Sequence, residues 1–312
     1  MILITGGLGY LGSRIAEKLI NSGLKVRIAS SRDKPNIPKQ LRASEVVKID
    51  LKDIQSIDNA CIGITCIVHL AALNSSECEI NPDEAVIINS DGTLKLLQSA
   101  VNSGVSKFLY FSTFHVYGAK LGGIINEEHS ICPSSQYAIT HKTAESHVNS
   151  FSHKLSTCIF RLTNAIGSPL TKNSNCWMLI ANDLCKKIVM DQELIVYANK
   201  NIIRDFIPIL DIVDSTIFFI NQKNKLINSQ TINISSGRPA TLENLCNLLL
   251  DRGEVLFNKN ITIDYKNSDQ NQVTESYSIS NKKAVDFGLT FSNKISNEID
   301  LMMHNYQKWF TE

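Results

Sequence analysis

Over the first half of the chain, short apolar runs alternate with stretches whose apolar residues recur at helical spacing. Ile2–Thr5 is such a run, and residues 11–20 then carry apolar side chains at 11, 15, 16, 19 and 20, the stripe of an amphipathic helix. Apolar runs at 25–29, 46–49, 64–70, 107–111 and 157–162 read as further strands. Helices are expected over 82–101, with a proline in the first turn, and over 135–151. Such alternation predicts an α/β protein with a doubly wound parallel sheet, which binds its ligands at the carboxyl ends of the strands. Beyond about residue 167 the rhythm changes, with a helix expected over 177–189, a short strand over 231–235 and a helix over 242–250. The expected organisation is a dinucleotide-binding domain over 1–166 and a mainly smaller substrate domain over 167–312. Segments around 205–235 return to the first domain, and no Pro/Gly/Ser-rich linker separates the two.

The first strand runs directly into GGLGYLG, in which Gly6, Gly9 and Gly12 form a G-x-x-G-x-x-G turn ahead of a helix. Glycines there permit a tight turn, a close backbone approach to a pyrophosphate and close helix–strand packing. The helix N-terminus then faces the phosphates with unpaired N–H groups. Turns collect glycine for steric reasons alone, but this placement in the first strand-to-helix turn favours a dinucleotide. The end of the second strand distinguishes NAD from NADP, since an acid there binds the ribose 2′-hydroxyl and a cation accommodates a 2′-phosphate. The sequence there is ASSRDK, with Ser30 at the acid position and Arg32 beyond it, so NADP is expected. The alternative is NAD, with Asp33 serving the ribose through a shifted loop.

Composition narrows the class. The chain has 312 residues, 43% of them hydrophobic, enough for a sizeable core. Its 31 Lys and Arg balance 30 Asp and Glu, which argues against nucleic acid or an anionic membrane as partner. Eight scattered cysteines, with neither a C-x-x-C nor a Cys/His cluster at zinc spacing, read as buried thiols of a reducing compartment, and no metal site is expected. No apolar run approaches the roughly 20 residues of a membrane span. The opening MILITGG already reads as strand and turn, so no signal peptide is expected and the cytoplasm is the expected location.

Taken together, these segments resemble the extended short-chain dehydrogenase/reductases, the nucleotide-sugar epimerase/dehydratase family, over nearly the whole chain. TGGLGYLGS is similar to the family's cofactor turn, which carries over to Gly6, Gly9, Leu11 and Gly12. IDL resembles its adenine-side Asp-Leu, carried over to Asp50 and Leu51. HLAAL resembles the fourth-strand segment lining the cofactor, at Leu70, Ala71 and Ala72, and NSDGT the helix that begins with Asn89. FSTFHVYG resembles the segment with the catalytic Ser/Thr, QYAITHKTAE the Tyr-x-x-x-Lys helix, and RLTNAIGSP and RDFIPILDIV the substrate-side motifs. The resemblance implies a Rossmann domain with a smaller nucleotide-sugar domain and a homodimer paired through two helices of the first. It implies Tyr137 as acid/base, Thr113 as the hydroxyl on the substrate oxygen, and Asn164 and Arg204 on the sugar nucleotide's diphosphate.

One position departs from the family pattern. With Glu145 eight residues after Tyr137, His141 occupies the lysine position, and the resemblance implies that it can donate the hydrogen bond to the nicotinamide ribose that the family lysine makes. On a helix, i+4 lies about 40° around from Tyr137 and i+5 about 140°, so His141 shares the tyrosine's face and Lys142 does not. The family lysine lowers the tyrosine pKa by its charge, and a histidine carries less charge near neutrality. A tyrosine that only donates a proton tolerates this better than one that must first remove it, which favours a reductase. The dehydratases' Asp-Glu pair after the threonine is Phe114 and His115 here, which disfavours elimination. His115 could act as an epimerising base or simply bond substrate hydroxyls. The expected function is an NADPH-dependent reductase of a nucleotide-4-keto sugar. The enzymatic alternative is a 4-epimerase with tightly bound NAD, and the non-enzymatic one a cofactor-binding regulator.

Overall fold

In the apolar run Ile2–Thr5, every residue is buried, because both faces of the strand are covered. The same holds for the other central strands, so the sequence shows continuous apolar runs there instead of alternation. The computed structural model describes residues 1–258, 261–266 and 276–311. In chain order its strands are β1 (Ile2–Thr5), β2 (Val26–Ser30), β3 (Glu45–Lys48), β4 (Cys66–His69), β5 (Lys107–Thr113), β6 (Gly123–Ile125) and β7 (Ser156–Leu162). There follow β8 (Asn164–Ile166), β9 (Leu194–Val196), β10 (Ile203–Pro208), β11 (Gln230–Ile234), β12 (Pro239–Thr241), β13 (Ile263–Tyr265) and β14 (Tyr277–Ile279).

Seven strands form one parallel sheet in the order β11-β7-β5-β4-β1-β2-β3. The chain winds outward from β1 to β3 and then returns to the other side of β1 at β4. The strand order therefore reverses between β1 and β4, the point at which such sheets open a ligand crevice. Leu3, Ile4, Ile28, Ile67 and Phe108 are fully buried in this sheet, and each contributes roughly 1.5–3 kcal/mol.

The chain divides into two compact units. The first comprises Met1–Lys120, Glu127–Leu162 and Val213–Ile234, and the second Leu121–Asn126, Thr163–Ile212 and Ser235–Glu312. The returning segment thus begins at Val213 and not near 205, because β10 pairs with β8 and β12 in a three-stranded sheet of the second unit. That unit's core lies between the helices Ile180–Val189, Leu242–Phe257 and Ile295–Phe310, with Cys185, Ile188, Leu249, Met302 and Tyr306 at its centre.

Several elements differ from the sequence expectation. The helix expected over 82–101 is broken by a π-helical turn, Val86–Asp91, between Pro82–Ala85 and Gly92–Asn102. Ser135 is the cap of the helix Gln136–Ser150, and its side chain accepts from the Ala138 N–H. The helix expected from 177 begins at Ile180, after a run of turns. Helices outside the expected elements include Ile54–Cys61 and Ser75–Ile80 in the first half and the long Ile209–Asn221 and Ile295–Phe310 in the second. Among the described residues no helix is long and apolar enough to cross a membrane.

Candidate active site

The turn after β1 can be built only with glycine at two points. Gly6 has φ +68°, and a Cβ on Gly12 would sit 2.3 Å from the Gly6 carbonyl oxygen. The helix Tyr10–Asn21 starts at Gly9 with no side-chain cap and no acid in its first turn, so Leu11 and Gly12 begin it with unneutralised N–H groups. The Thr5 hydroxyl ties the neighbouring loop to this turn by accepting from the Leu70 and Ala71 N–H groups. Its own proton then goes to His69 Nδ1, 2.6 Å away. His69 Nε2 is left to donate to the Thr93 hydroxyl at 2.9 Å, and burial holds the ring neutral, its pKa lowered to about 3.

Asn89 was expected at the cofactor, and its amide is engaged in a different way. Turned inward by the π-helical turn, it accepts from Leu73 N–H at 2.7 Å and donates toward Thr140 Oγ1 at 3.2 Å. It is 1% exposed, so it fastens the loop after β4 to the helix that carries Tyr137. Ala72 lies in that loop and is exposed.

At the end of β2, the Ser30 hydroxyl accepts from the Arg32 N–H at 3.2 Å. The Arg32 side chain is exposed and makes no hydrogen bond or ion pair among the described residues. Asp33, the acid on which an NAD reading rests, is ion-paired to Lys48 at the end of β3. Asp50 and Leu51 follow that strand, with the Asp50 carboxylate accepting from the Lys52 N–H at 2.9 Å.

The carboxyl end of β5 meets the helix Gln136–Ser150 at three groups. Thr113, the last strand residue, is buried and caps the following turn by accepting from the His115 N–H at 3.2 Å. Its hydroxyl lies on the Tyr137 side of the site and works to lower the phenol's pKa. The Tyr137 and His141 rings lie 4.4 Å apart at 69°, as the shared helix face requires. His115 is exposed, with its ring 6.3 Å from that of Tyr137. Burial pushes the Tyr137 hydroxyl up to about 12, the neighbouring Cys78 adds to this, and Thr113 opposes it. Burial likewise lowers His141 to about 4, helped by His115. The histidine is therefore neutral at pH 7 and brings no positive charge to Tyr137.

Lys142 points elsewhere, with its ammonium 3.8 Å from Glu145. Glu145, which serves in the sequence only to set the register, is a buried anchor. It accepts a bidentate pair from Arg161 at 2.9 and 2.8 Å and a further bond from Ser112 at 2.7 Å. Tyr110 also escapes the motif reading. It projects from β5 to the same side as Ser112 and lies 2.7 Å from His141 Nδ1. The period of two along β5 carries a signal for Tyr110 and Ser112 as a pair, but not for their partners.

In the second unit, Asn164 on β8 and Arg204 on β10 lie on neighbouring strands, where Phe206 is opposite Asn164. The Asn164 amide donates to the Asp205 carbonyl at 2.9 Å, and the Arg204 guanidinium to the Ile203 carbonyl at 3.0 Å. Asp205 is buried and held by Thr163 and Ser236. Among the described residues no cluster of His, Cys, Asp and Glu could hold a metal ion.

The residues of the first unit fit a dinucleotide. A Cβ-free turn follows β1 where the strand order reverses, the helix start is uncapped, and the buried Nε2 of His141 has no hydrogen-bond partner among the described residues. The model of the NAD dependent epimerase/dehydratase family matches residues 2–235. A "Putative UDP-glucose 4-epimerase" of Methanocaldococcus jannaschii is 25% identical over 269 residues, covering 83% of this chain and 86% of the relative. A GDP-6-deoxy-D-talose 4-dehydrogenase of Aggregatibacter actinomycetemcomitans is 27% identical over 246 residues, 76% of this chain and 74% of the relative. The crystal structure of a UDP-glucose 4-epimerase from Thermotoga maritima, with UDP-glucose, superposes with a TM-score of 0.85 at 22% identity over 98% of each chain. That last likeness shows the fold.

Proposed function

The chain belongs to the NAD dependent epimerase/dehydratase family, and from that premise we propose that it is a nucleotide-sugar oxidoreductase, a reductase of a nucleotide-4-keto sugar that uses NADPH. One observation carries the choice of direction. Tyr137 is held protonated, its pKa raised to about 12, beside a histidine that is neutral. Such a phenol is suited to give a proton and poorly suited to take one. When bound, the cofactor supplies the hydride to the keto carbon. Tyr137 delivers its proton to the keto oxygen, and the Thr113 hydroxyl donates a hydrogen bond to the same oxygen. Tyr137 then regains a proton from solvent. His141 Nε2 would hold the nicotinamide ribose, and His115 would bond hydroxyls of the sugar.

The deciding experiment is single-turnover oxidation of NADPH by a nucleotide-4-keto sugar. Absence of oxidation, together with bound NAD in the protein as purified and interconversion of a sugar pair at C4, would establish the second reading, a 4-epimerase. That reading is favoured by the likeness to the putative UDP-glucose 4-epimerase of Methanocaldococcus jannaschii. Absence of both reactions would leave a cofactor-binding regulator.

NADPH is favoured by Ser30 and by Arg32, whose side chain is unpaired among the described residues, and by the commitment of Asp33 to Lys48. Arg32→Ala should weaken NADPH binding about tenfold, the scale of one lost charge-assisted bond, and leave NADH binding unchanged. Equal or tighter binding of NADH by the unaltered protein would reject the assignment. Asn164 and Arg204 are assigned to the diphosphate of the substrate, which needs donors and a cation. Arg204→Ala should raise the substrate KM by about tenfold or more with little effect on cofactor Kd, the signature of lost ground-state binding. An effect on cofactor Kd alone would remove Arg204 from the substrate site. A homodimer would cover the exposed apolar Val86, Ile87 and Ile139, and sedimentation would read it as a doubled mass.

A further inference from the structure

We propose that Tyr110 is a positioning residue that fixes the single proton of His141 on Nε2, so that the ring presents an N–H donor to the cofactor. The inference rests on the reading that His141 serves where the family carries lysine. It starts from the two nitrogens of one ring. Nδ1 of His141 lies 2.7 Å from Tyr110 Oη, while Nε2 is buried and has no partner among the described residues. Tyr110 and His141 are each 3% exposed, so neither ring has open access to solvent.

The tautomer follows by elimination. The Tyr110 phenol keeps its proton, since burial, with Glu145 and Tyr137 nearby, raises its pKa well above 10. Its one acceptor among the described residues is His141 Nδ1. The ring of His69 is close, 5.7 Å from that of Tyr110, but its nitrogens are taken by Thr5 and Thr93. A neutral imidazole carries one proton, and if Nδ1 accepts, Nε2 must bear it. The opposite assignment, with Nδ1–H donating to Tyr110, strands the phenolic O–H as well as the Nε2 lone pair. That makes two orphaned buried groups in place of one. The remaining Nε2–H needs an acceptor oxygen, and a hydroxyl of a ribose diol supplies one.

This dependence arises from the histidine. A lysine ammonium presents donors in any rotation about its terminal bond, whereas an imidazole presents a donor at Nε2 in only one tautomer. Tyr110 therefore matters to the cofactor only while residue 141 is histidine, which separates a tautomer-setting role from a packing role.

The test uses the full chain labelled with 15N-histidine. In the unliganded protein, the long-range proton–nitrogen correlation of His141 should show the Nε2–H tautomer, and Tyr110→Phe should move it to Nδ1–H or to a mixture. By calorimetry, Tyr110→Phe should weaken NADPH binding about tenfold, the scale of one mispresented hydrogen bond. In a His141→Lys background the same change should cost less than about twofold. A wild-type spectrum with the proton on Nδ1, or equal losses in both backgrounds, would overturn the proposal. If the unaltered protein binds neither NADPH nor NADH, the cofactor reading fails, and the spectrum of the unliganded protein still decides where the proton sits. The same spectrum decides the matter if Tyr110→Phe does not fold.

Discussion

Tyr137→Phe is expected to lower kcat by about three orders of magnitude, within the range by which general acid catalysis contributes, and to leave cofactor Kd within about twofold. The loss is one oxygen and its proton. The ring stays, so the contact with His141 at 4.4 Å is kept, and Thr113 still caps its turn. Only the proton donor to the developing alkoxide is gone, an interaction made in the transition state and not in the ground state. The pH dependence of the unaltered protein should carry the same signature. With the Tyr137 pKa raised to about 12, the acid form prevails through neutral pH, so this group leaves kcat/KM for reduction flat there. The oxidising direction needs the phenolate, whose fraction rises about tenfold per pH unit below the pKa, so that rate should climb steadily with pH. Pre-steady-state measurements in both directions would read this. A silent Tyr137→Phe would mean that the proton comes from elsewhere, and the regulator reading would then gain.

His141→Ala should cost about a hundredfold in kcat/KM, while Lys142→Ala should stay within about twofold. Removing the imidazole takes away the group assigned to the nicotinamide ribose and opens a void beside Tyr137, so both cofactor placement and the tyrosine suffer. Lys142 lies against Glu145 at 3.8 Å, one-third exposed, and Glu145 keeps its bidentate pair with Arg161 without it. His141→Lys should preserve reduction. It should also move the oxidising limb to lower pH, because an ammonium beside Tyr137 favours the phenolate, whereas the present histidine is neutral. If Lys142→Ala were the damaging change and His141→Ala silent, the functional assignment of the helix face would be wrong.

The features legible in the sequence are those that local physics dictates. A residue four positions on shares a helix face whatever surrounds it, so the pairing of Tyr137 with His141, and the separation of Lys142 from both, follow from helix geometry alone. The glycine turn is as local, since the 2.3 Å approach at Gly12 is to a carbonyl six residues back. Continuous apolar runs identify the buried strands, because a strand covered on both faces shows no regular apolar–polar alternation. The helix Ile295–Phe310 carries an equally local signal in Ile299, Met302, Met303 and Tyr306, and a stricter count of periodicity finds it. Ile209–Asn221 is harder, since it is apolar nearly all round and shows no single stripe.

The protonation states and the partners were decided only by the tertiary structure. The tyrosine that meets His141 lies 31 positions away, and the serine that meets Glu145 lies 33 away. Nothing in a local pattern selects such pairs, since each depends on the stacking of β5 against the helix Gln136–Ser150. The π-helical turn that directs Asn89 into the protein depends in the same way on Leu73 and Thr140 being there to receive it. Spacing put a histidine beside the tyrosine, and burial keeps that histidine neutral and the tyrosine in its protonated form. Desolvation belongs to the packed neighbourhood and not to the residue, so the sequence determined that Tyr137 and His141 share a face, and the fold determined their distant partners and which groups hold protons.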